Sequence, residues 1–241
     1  KTDNYLPTAD FAFLDEIWKS SPAILNTLLT LINEKTFKNG NGIEKTPLKA
    51  LVAASNETPA ENQGLDALYD RFIVRLTVNP IEQKANFEAL LNTSPLLPEV
   101  SILKKLQVTN TEWQSWLQDI NKVLLSQETI QVIHFIRAEL AESFDDLGIY
   151  VSDRRWQKVA QLLKASAFFN DRKETNHSDA LLISNCIWTK EENKKAVEEI
   201  VHQAIKSIGF VAEISISSID KEKEALEKEI NNELLYEDAI F

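Results

Sequence analysis

Residues 10–22, which read DFAFLDEIWKSSP, constrain the fold of this chain more than any other segment. Four consecutive apolar residues run directly into a pair of carboxylates. A short uninterrupted apolar run is typical of a strand that is buried on both faces of a parallel α/β sheet. Ser21 and Pro22 then fit a helix N-cap followed by proline at the first helical position. The segment therefore predicts a buried strand, an acidic connection and a helix start.

The two carboxylates, Asp15 and Glu16, fall where open α/β sheets bind their ligands, beyond the carboxyl end of a strand. The order of strand, Asp-Glu and helix is that of a Walker B element. In such an element the Asp holds Mg²⁺, usually through water, and the Glu polarises the water that attacks the γ-phosphate. The pattern is short, and an acidic loop without a catalytic role is the alternative.

Composition and charge narrow the class of protein. A length of 241 residues predicts one large or two modest domains. The net charge of −11 argues against a mainly electrostatic partner of nucleic acid or of membrane surfaces. Cys186 is the single cysteine, which excludes an intrachain disulfide and a thiolate metal cluster. With no apolar run of membrane-spanning length, these features predict a cytoplasmic protein. The absence of methionine predicts that the sequence begins inside a larger protein.

The first part of the chain, residues 1–92, predicts an α/β unit. Asn39-Gly40-Asn41-Gly42 is a strong hairpin-turn signal between two short strands. The predicted elements are a helix over 22–34, a hairpin over 36–46, a buried strand over 48–55, a short helix over 65–72, a third strand over 73–78 and a helix from 80 to 91.

Residues 93–101 contain two prolines and are interpreted as a linker, after which residues up to 208 are predicted to be helical. The predicted helices include one over 152–169, a short one over 178–188 and one over 194–208. Residues 209–219 alternate in polarity and predict a strand, and residues 220–235 predict a charged helix. The predicted domains are therefore 1–92, a helical domain over 93–208, and the start of a further domain over 209–241.

Three later polar positions fit phosphate chemistry. Asn56 follows the second buried strand and can hold a water or a γ-phosphate oxygen, the role called sensor 1. Arg71 ends the short helix and can reach a neighbouring subunit's nucleotide as an arginine finger. Arg154, with Arg155 as the second choice, begins a helix and can serve as sensor 2. Each has a plain alternative, namely a turn residue, a surface ion-pair partner and an exposed helix-start arginine.

Four stretches together resemble the MoxR family of AAA+ ATPases, with the RavA (regulatory ATPase variant A) branch the nearest. They cover most of residues 1–190 and read FLDEIWKSSPAILNTLLTLINEKTFKNG, LVAASNETP, LDALYDRFIVRL and YVSDRRWQKVAQLLKASAFF. The resemblance implies an α/β fold: part of a AAA+ P-loop NTPase core, with a parallel sheet and an inserted β-hairpin, followed by an all-α lid.

The same resemblance implies a function and roles for the matching residues. Proteins of this type form hexameric rings, hydrolyse ATP with Mg²⁺, and act as chaperone-like remodelling factors on client proteins, often beside a von Willebrand factor A protein. The implied roles are Asp15 for Mg²⁺, through water, Glu16 and Asn56 for catalysis, Arg71 as the finger, and Arg154 or Arg155 as sensor 2.

A phosphate-binding loop of the form G-x-x-x-x-G-K-[ST] is missing, because none of the five glycines is followed by lysine. The family has this loop upstream of the matching region. We therefore expect these 241 residues alone to bind ATP weakly and to hydrolyse it negligibly.

Two other functions stay open. The hairpin region carries Lys35, Lys38, Lys45 and Lys49, and basic hairpins of this kind grip DNA in related nucleic-acid or chelatase-type AAA+ motor subunits. The overall acidity instead favours contact with a substrate polypeptide, or simple solvation of these lysines. A scaffold fragment that has lost turnover is the non-enzymatic alternative.

Overall fold

The computed structural model describes residues 6–39, 42–59, 64–93 and 102–209, together with the isolated positions 223 and 228. The tip of the predicted hairpin and most of the predicted linker lie outside these ranges. The predicted strand over 209–219 also lies outside them, except that residue 209 ends a helix. The predicted charged helix over 220–235 is described only at Lys223 and Lys228, both of which are helical.

Two small sheets form the α/β part. Strands β1 (Phe11–Leu14) and β4 (Ala50–Ala53) are parallel, with Leu14 opposite Ala53. Strands β2 (Thr36–Asn39) and β3 (Gly42–Lys45) form the antiparallel hairpin. The parallel pair, the inserted hairpin and the helical region after them confirm the predicted fold class.

Helices make up most of the remainder. In chain order they are α1 (Pro22–Glu34), α2 (Asp66–Tyr69), α3 (Lys84–Asn92), α4 (Asn110–Lys122), α5 (Gln127–Glu142), α6 (Phe144–Leu147), α7 (Asp153–Phe169), α8 (His177–Ala180), α9 (Ser184–Ile187) and α10 (Glu191–Gly209). The predicted helix over 22–34 is confirmed, with Ser21 as its N-cap position and proline at its start. The predicted helix over 178–188 is instead broken into α8, a 3-10 turn and α9. Among the described helices, none is long and apolar enough to cross a membrane.

The third predicted strand, over 73–78, is wrong, because these residues are irregular. The backbone N–H of Arg75 donates to the carbonyl of Asn185 in the helical region, at 2.8 Å. The Arg75 side chain is also buried against that region. This segment therefore packs against the helical region instead of extending the sheet.

The prediction that β1 is buried on both faces is also wrong. Ala12 and Leu14 are half-buried, but Phe11 and Phe13 are 62% and 65% exposed. Within the described residues β1 pairs with β4 alone, so its other edge has no strand beside it. On the exposed face Phe11 meets the edge of Trp113 from α4, with ring centroids 6.2 Å apart.

Each part has its own apolar cluster. Leu25 and Leu28 of α1 pack with Leu65 and Leu68 around α2, next to Ile17. The apolar cluster of the helical region is larger and more completely buried. Residues of α5, α7 and α10 pack there against the segment that contains α8 and α9. Burial of each large aliphatic side chain contributes about 1.5–3 kcal/mol. The core of the helical region therefore contributes more hydrophobic stabilisation than that of the α/β part. The boundary predicted at residue 92 stays a prediction.

Candidate functional site

The carboxyl ends of β1 and β4 lie level with each other. The Ala54 N–H donates to the Leu14 carbonyl at 2.8 Å, so the residues after each strand emerge at one edge. Asn56 donates from Nδ2 to Oε1 of Glu16 at 3.1 Å. Two of the residues singled out in the sequence, 40 positions apart, are therefore in direct contact.

Glu16 has an uncommon backbone conformation, with φ 49° and ψ 42° in the left-handed region. For a residue other than glycine this costs about 1–2 kcal/mol. Its N–H donates to Oδ1 of Asp15 at 3.0 Å, which supports the turn. Its buried Oε2 has no directional hydrogen bond but lies 3.1 Å from the ammonium of Lys19. The turn thus aims the Glu16 carboxylate at Asn56 and leaves Asp15 exposed.

The donor set at this edge fits one kind of metal ion. The part of the chain that the structure describes contains no group of three or more His, Cys, Asp or Glu side chains that could enclose a metal. Mg²⁺ in nucleotide sites usually needs only one or two carboxylates, because phosphates and waters fill its other positions. The exposed Asp15 carboxylate suits such a shared ion.

The two candidate arginines Arg71 and Arg154 meet at one acceptor. Nε of Arg71 and an Nη of Arg154 both donate to Oδ1 of Asn33, near the end of α1; the Arg154 bond is 2.8 Å long. Arg71 also donates to the Ala67 carbonyl. Partial burial and, after it, the charge of Arg154 lower the pKa of Arg71, while Asp70 acts in the opposite direction. These residues form a second pair, apart from Glu16 and Asn56.

Arg155 lies in a different environment from its neighbour. Its side chain is 3% exposed and pairs with Oδ1 of Asp70 at 3.0 Å. It also donates to the carbonyl of Cys186 at 2.6 Å and to that of Phe72 at 3.1 Å. The other Asp70 oxygen accepts from the hydroxyl of Ser152 at 3.1 Å. These contacts tie the end of α2 to the helical region, and they favour Arg154 over Arg155 as a residue that meets an anion.

Arg75 is a buried residue at the same junction that the sequence reasoning missed. Its guanidinium carbon lies 3.7 Å from the ring centroid of Tyr69, and it donates to the carbonyls of Tyr69, at 3.0 Å, and of Trp188. Burial, and then the charge of Arg155, lower its pKa to about 10. An arginine inside the apolar run FIVRL was the available signal.

Trp18 connects the acidic turn with this junction. Its ring meets those of Tyr69 and Phe72 edge-on, with centroids 5.7 and 5.9 Å apart. The Tyr69 hydroxyl donates to the Thr189 carbonyl of the helical region at 2.9 Å. Trp18 thus contacts two aromatic residues, Tyr69 and Phe72, that lie before and after Arg71 in the sequence.

Two parts of the chain match known domain families. Residues 1–116 match the family described as the MoxR domain in the MoxR-vWA-beta-propeller ternary systems, and residues 128–201 match the AAA lid domain. Two uncharacterised proteins of Methanocaldococcus jannaschii, MJ0812 and MJ0079, are each 34% identical, over 214 and 201 residues. The alignments cover 88% and 83% of the chain and 54% and 50% of the relatives, so the chain spans about half of their length.

A solved structure supports the fold. The crystal structure of a presumed ATPase from Cytophaga hutchinsonii matches with a TM-score of 0.60, over 84% of this chain and 66% of that one. Sequence identity is 20%, so this likeness concerns the fold alone.

Proposed function

We propose that this chain supplies the hydrolytic residues of a MoxR-type AAA+ ATPase, because residues 1–116 match a MoxR domain and residues 128–201 match an AAA lid domain. The observation that supports this most directly is the 3.1 Å contact between Glu16 and Asn56 beyond the ends of two parallel strands. The 241 residues contain no G-x-x-x-x-G-K-[ST] loop. The proposal therefore concerns ATP hydrolysis by the full-length protein.

In this proposal the residues at the sheet edge share one reaction. Glu16 acts as the base that polarises the attacking water, and Asn56 orients that water through its amide. Asp15 would hold Mg²⁺. Bound Mg·ATP would supply the electrophilic phosphorus and the charge neutralisation that the metal gives. The ammonium of Lys19 lies 3.1 Å from Oε2 of Glu16, so Oε1, which Asn56 contacts, is the oxygen proposed to accept the proton.

Arg71 and Arg154 serve a second nucleotide in this proposal, that of a neighbouring subunit. The supporting observation is that both arginines contact Asn33, whereas Glu16 is held by Asn56 and Lys19. Two guanidinium groups at one point suit the charge that develops on a transferring phosphoryl group. This arrangement requires assembly of several copies, and we propose the hexameric ring.

The finer assignments are also proposals. The description of the matching family names a MoxR-vWA-beta-propeller system, which supports a von Willebrand factor A protein as partner. We propose chaperone-like remodelling of client proteins as the use of ATP. Membership of the RavA branch, a cytoplasmic location and the division into domains at residues 92 and 208 stay predictions from the sequence.

The test is ATP hydrolysis by the full-length protein carrying Glu16→Gln. Loss of a general base should lower kcat by about 10²–10⁴-fold while nucleotide binding persists. Glu57→Gln, which changes an exposed carboxylate one residue after Asn56, is the matched control and should retain activity. Wild-type-like turnover by the Glu16→Gln protein would overturn the proposal.

A further inference from the structure

Asn33 lies in the last turn of α1 and accepts hydrogen bonds from two arginines that are 83 positions apart in the sequence. Neither contact is needed for the helix, because both use the side chain of an exposed residue. We propose that Asn33 is a positioning residue that holds Arg71 and Arg154 together as one receptor for a phosphate oxyanion. The proposal rests on the proposed function, since the oxyanion is that of the neighbouring subunit's nucleotide.

The chemistry of Asn33 suits this role better than a carboxylate would. An amide oxygen accepts hydrogen bonds without neutralising the groups that donate them, so both positive charges remain available to an anion. Asp70, the carboxylate that precedes Arg71 in the sequence, is bonded to Arg155 and Ser152. Asn33 thus holds the two arginines at one point without adding a negative charge of its own.

Two lysines extend the positive potential around this point. Lys35 follows α1 and donates to the Leu48 carbonyl at 2.8 Å. Lys158 lies one helical turn after Arg154 on α7. Burial and then the charge of Lys158 lower the pKa of Lys35. A cluster of this charge favours a polyphosphate over a single carboxylate.

The kinetic test compares four variants of the full-length, assembled protein. Asn33→Leu removes the acceptor and should lower kcat for ATP about tenfold, with KM within about twofold, because the arginines lose their fixed position. Asn33→Gln keeps an amide and should restore most of the activity. Asn33→Asp should be at least as impaired as Asn33→Leu, because it neutralises one arginine. Asn26→Leu, the same substitution on an exposed position of α1, is the control. Equal activity of Asn33→Leu and Asn26→Leu would overturn the inference.

A second measurement needs no nucleotide. Thermal unfolding of the protein with Asn33→Leu, Arg154→Ala and both changes forms a double-mutant cycle. Non-additive effects support the inferred contact, and strict additivity overturns it. Absence of ATP turnover by the wild-type protein would overturn the proposed function. The unfolding cycle would then still test whether Asn33 holds Arg154.

Discussion

Two adjacent arginines at the start of α7 have opposite environments. Arg154 is exposed and donates a hydrogen bond to the Asn33 side chain. Arg155 is 3% exposed and bonds to a carboxylate and to several backbone carbonyls. A buried arginine whose donors are all engaged has little freedom to follow an anion, so Arg155 is the structural member of the pair.

The first prediction concerns the stability that Arg155 provides. Arg155→Met leaves the Asp70 carboxylate and the Cys186 carbonyl without their partner, and it should lower the free energy of unfolding by about 3 kcal/mol. For a chain of this size the midpoint of thermal unfolding should fall by about 6–12 °C. Circular dichroism is the measurement. Arg154→Met, at the neighbouring exposed position, is the control and should change the midpoint by about 2 °C or less.

At the scale of elements, polar side chains fix several helix starts. Thr109 and Glu112 form a capping box at α4, and Asn176 and Asp179 form one at α8. The second box is reinforced because Arg172 donates to both oxygens of Asp179, at 2.6 and 2.7 Å. This short helix therefore depends on one buried carboxylate, which holds the preceding loop against it.

That carboxylate makes the stability of the helical region depend on pH. Burial alone would raise the pKa of Asp179, but hydrogen bonds from Arg172, Ser166 and the Asn176 backbone outweigh burial and lower it. The stabilisation is therefore present above the unfolded-state pKa of about 3.9 and is lost as pH falls further. Asp179→Asn should lower the unfolding midpoint at pH 7, and its difference from wild type should shrink below about pH 4.

A matched substitution in the same loop separates this effect from acid unfolding in general. Asp171 is exposed and has a positive φ of 56°, which asparagine tolerates well. The Asp171→Asn protein should therefore have the unfolding midpoint of the wild-type protein at both pH 7 and pH 3. A constant difference between Asp179→Asn and wild type from pH 7 to pH 3 would contradict the assignment.

At the scale of the whole molecule, the candidate site consists of two separate pairs. Glu16 with Asn56 lies at the sheet edge, and Arg71 with Arg154 lies between α1, α2 and α7. A complete site in the proposed function needs one pair from each of two neighbouring subunits. Neither pair alone would be competent, so activity should depend on assembly.

Mixing two inactive variants tests this dependence. Full-length Glu16→Gln and Arg71→Ala proteins should each be inactive, but an equal mixture should regain activity. In a random ring about a quarter of the interfaces would join an intact Glu16 to an intact Arg71. ATP hydrolysis before and after mixing is the measurement, and mixing Glu16→Gln with itself is the control. A mixture that stays inactive although subunits exchange would contradict a shared site.

Features that follow from local rules can be predicted from the sequence, whereas features that depend on how the two parts meet cannot. The contact between Glu16 and Asn56 was foreseeable because parallel strands place their carboxyl ends at one edge. The irregular path of residues 73–78 was not, because its cause is the hydrogen bond from Arg75 to Asn185, 110 positions away. Asn33 was missed for the same reason, since neither arginine is near it in sequence.

The length of α7 has a mechanical consequence. Its 17 residues span about 25 Å. Arg155 fixes one end of the helix through its ion pair with Asp70. At the other end, the ring of Phe169 meets that of Trp116 from α4, with centroids 5.6 Å apart. A tilt of about 10° around that anchor would barely displace Arg154 but would move the far end by roughly 4 Å. A small rotation of α7 about Arg155 would therefore change mainly its contact with α4, while Arg154 would stay beside Asn33.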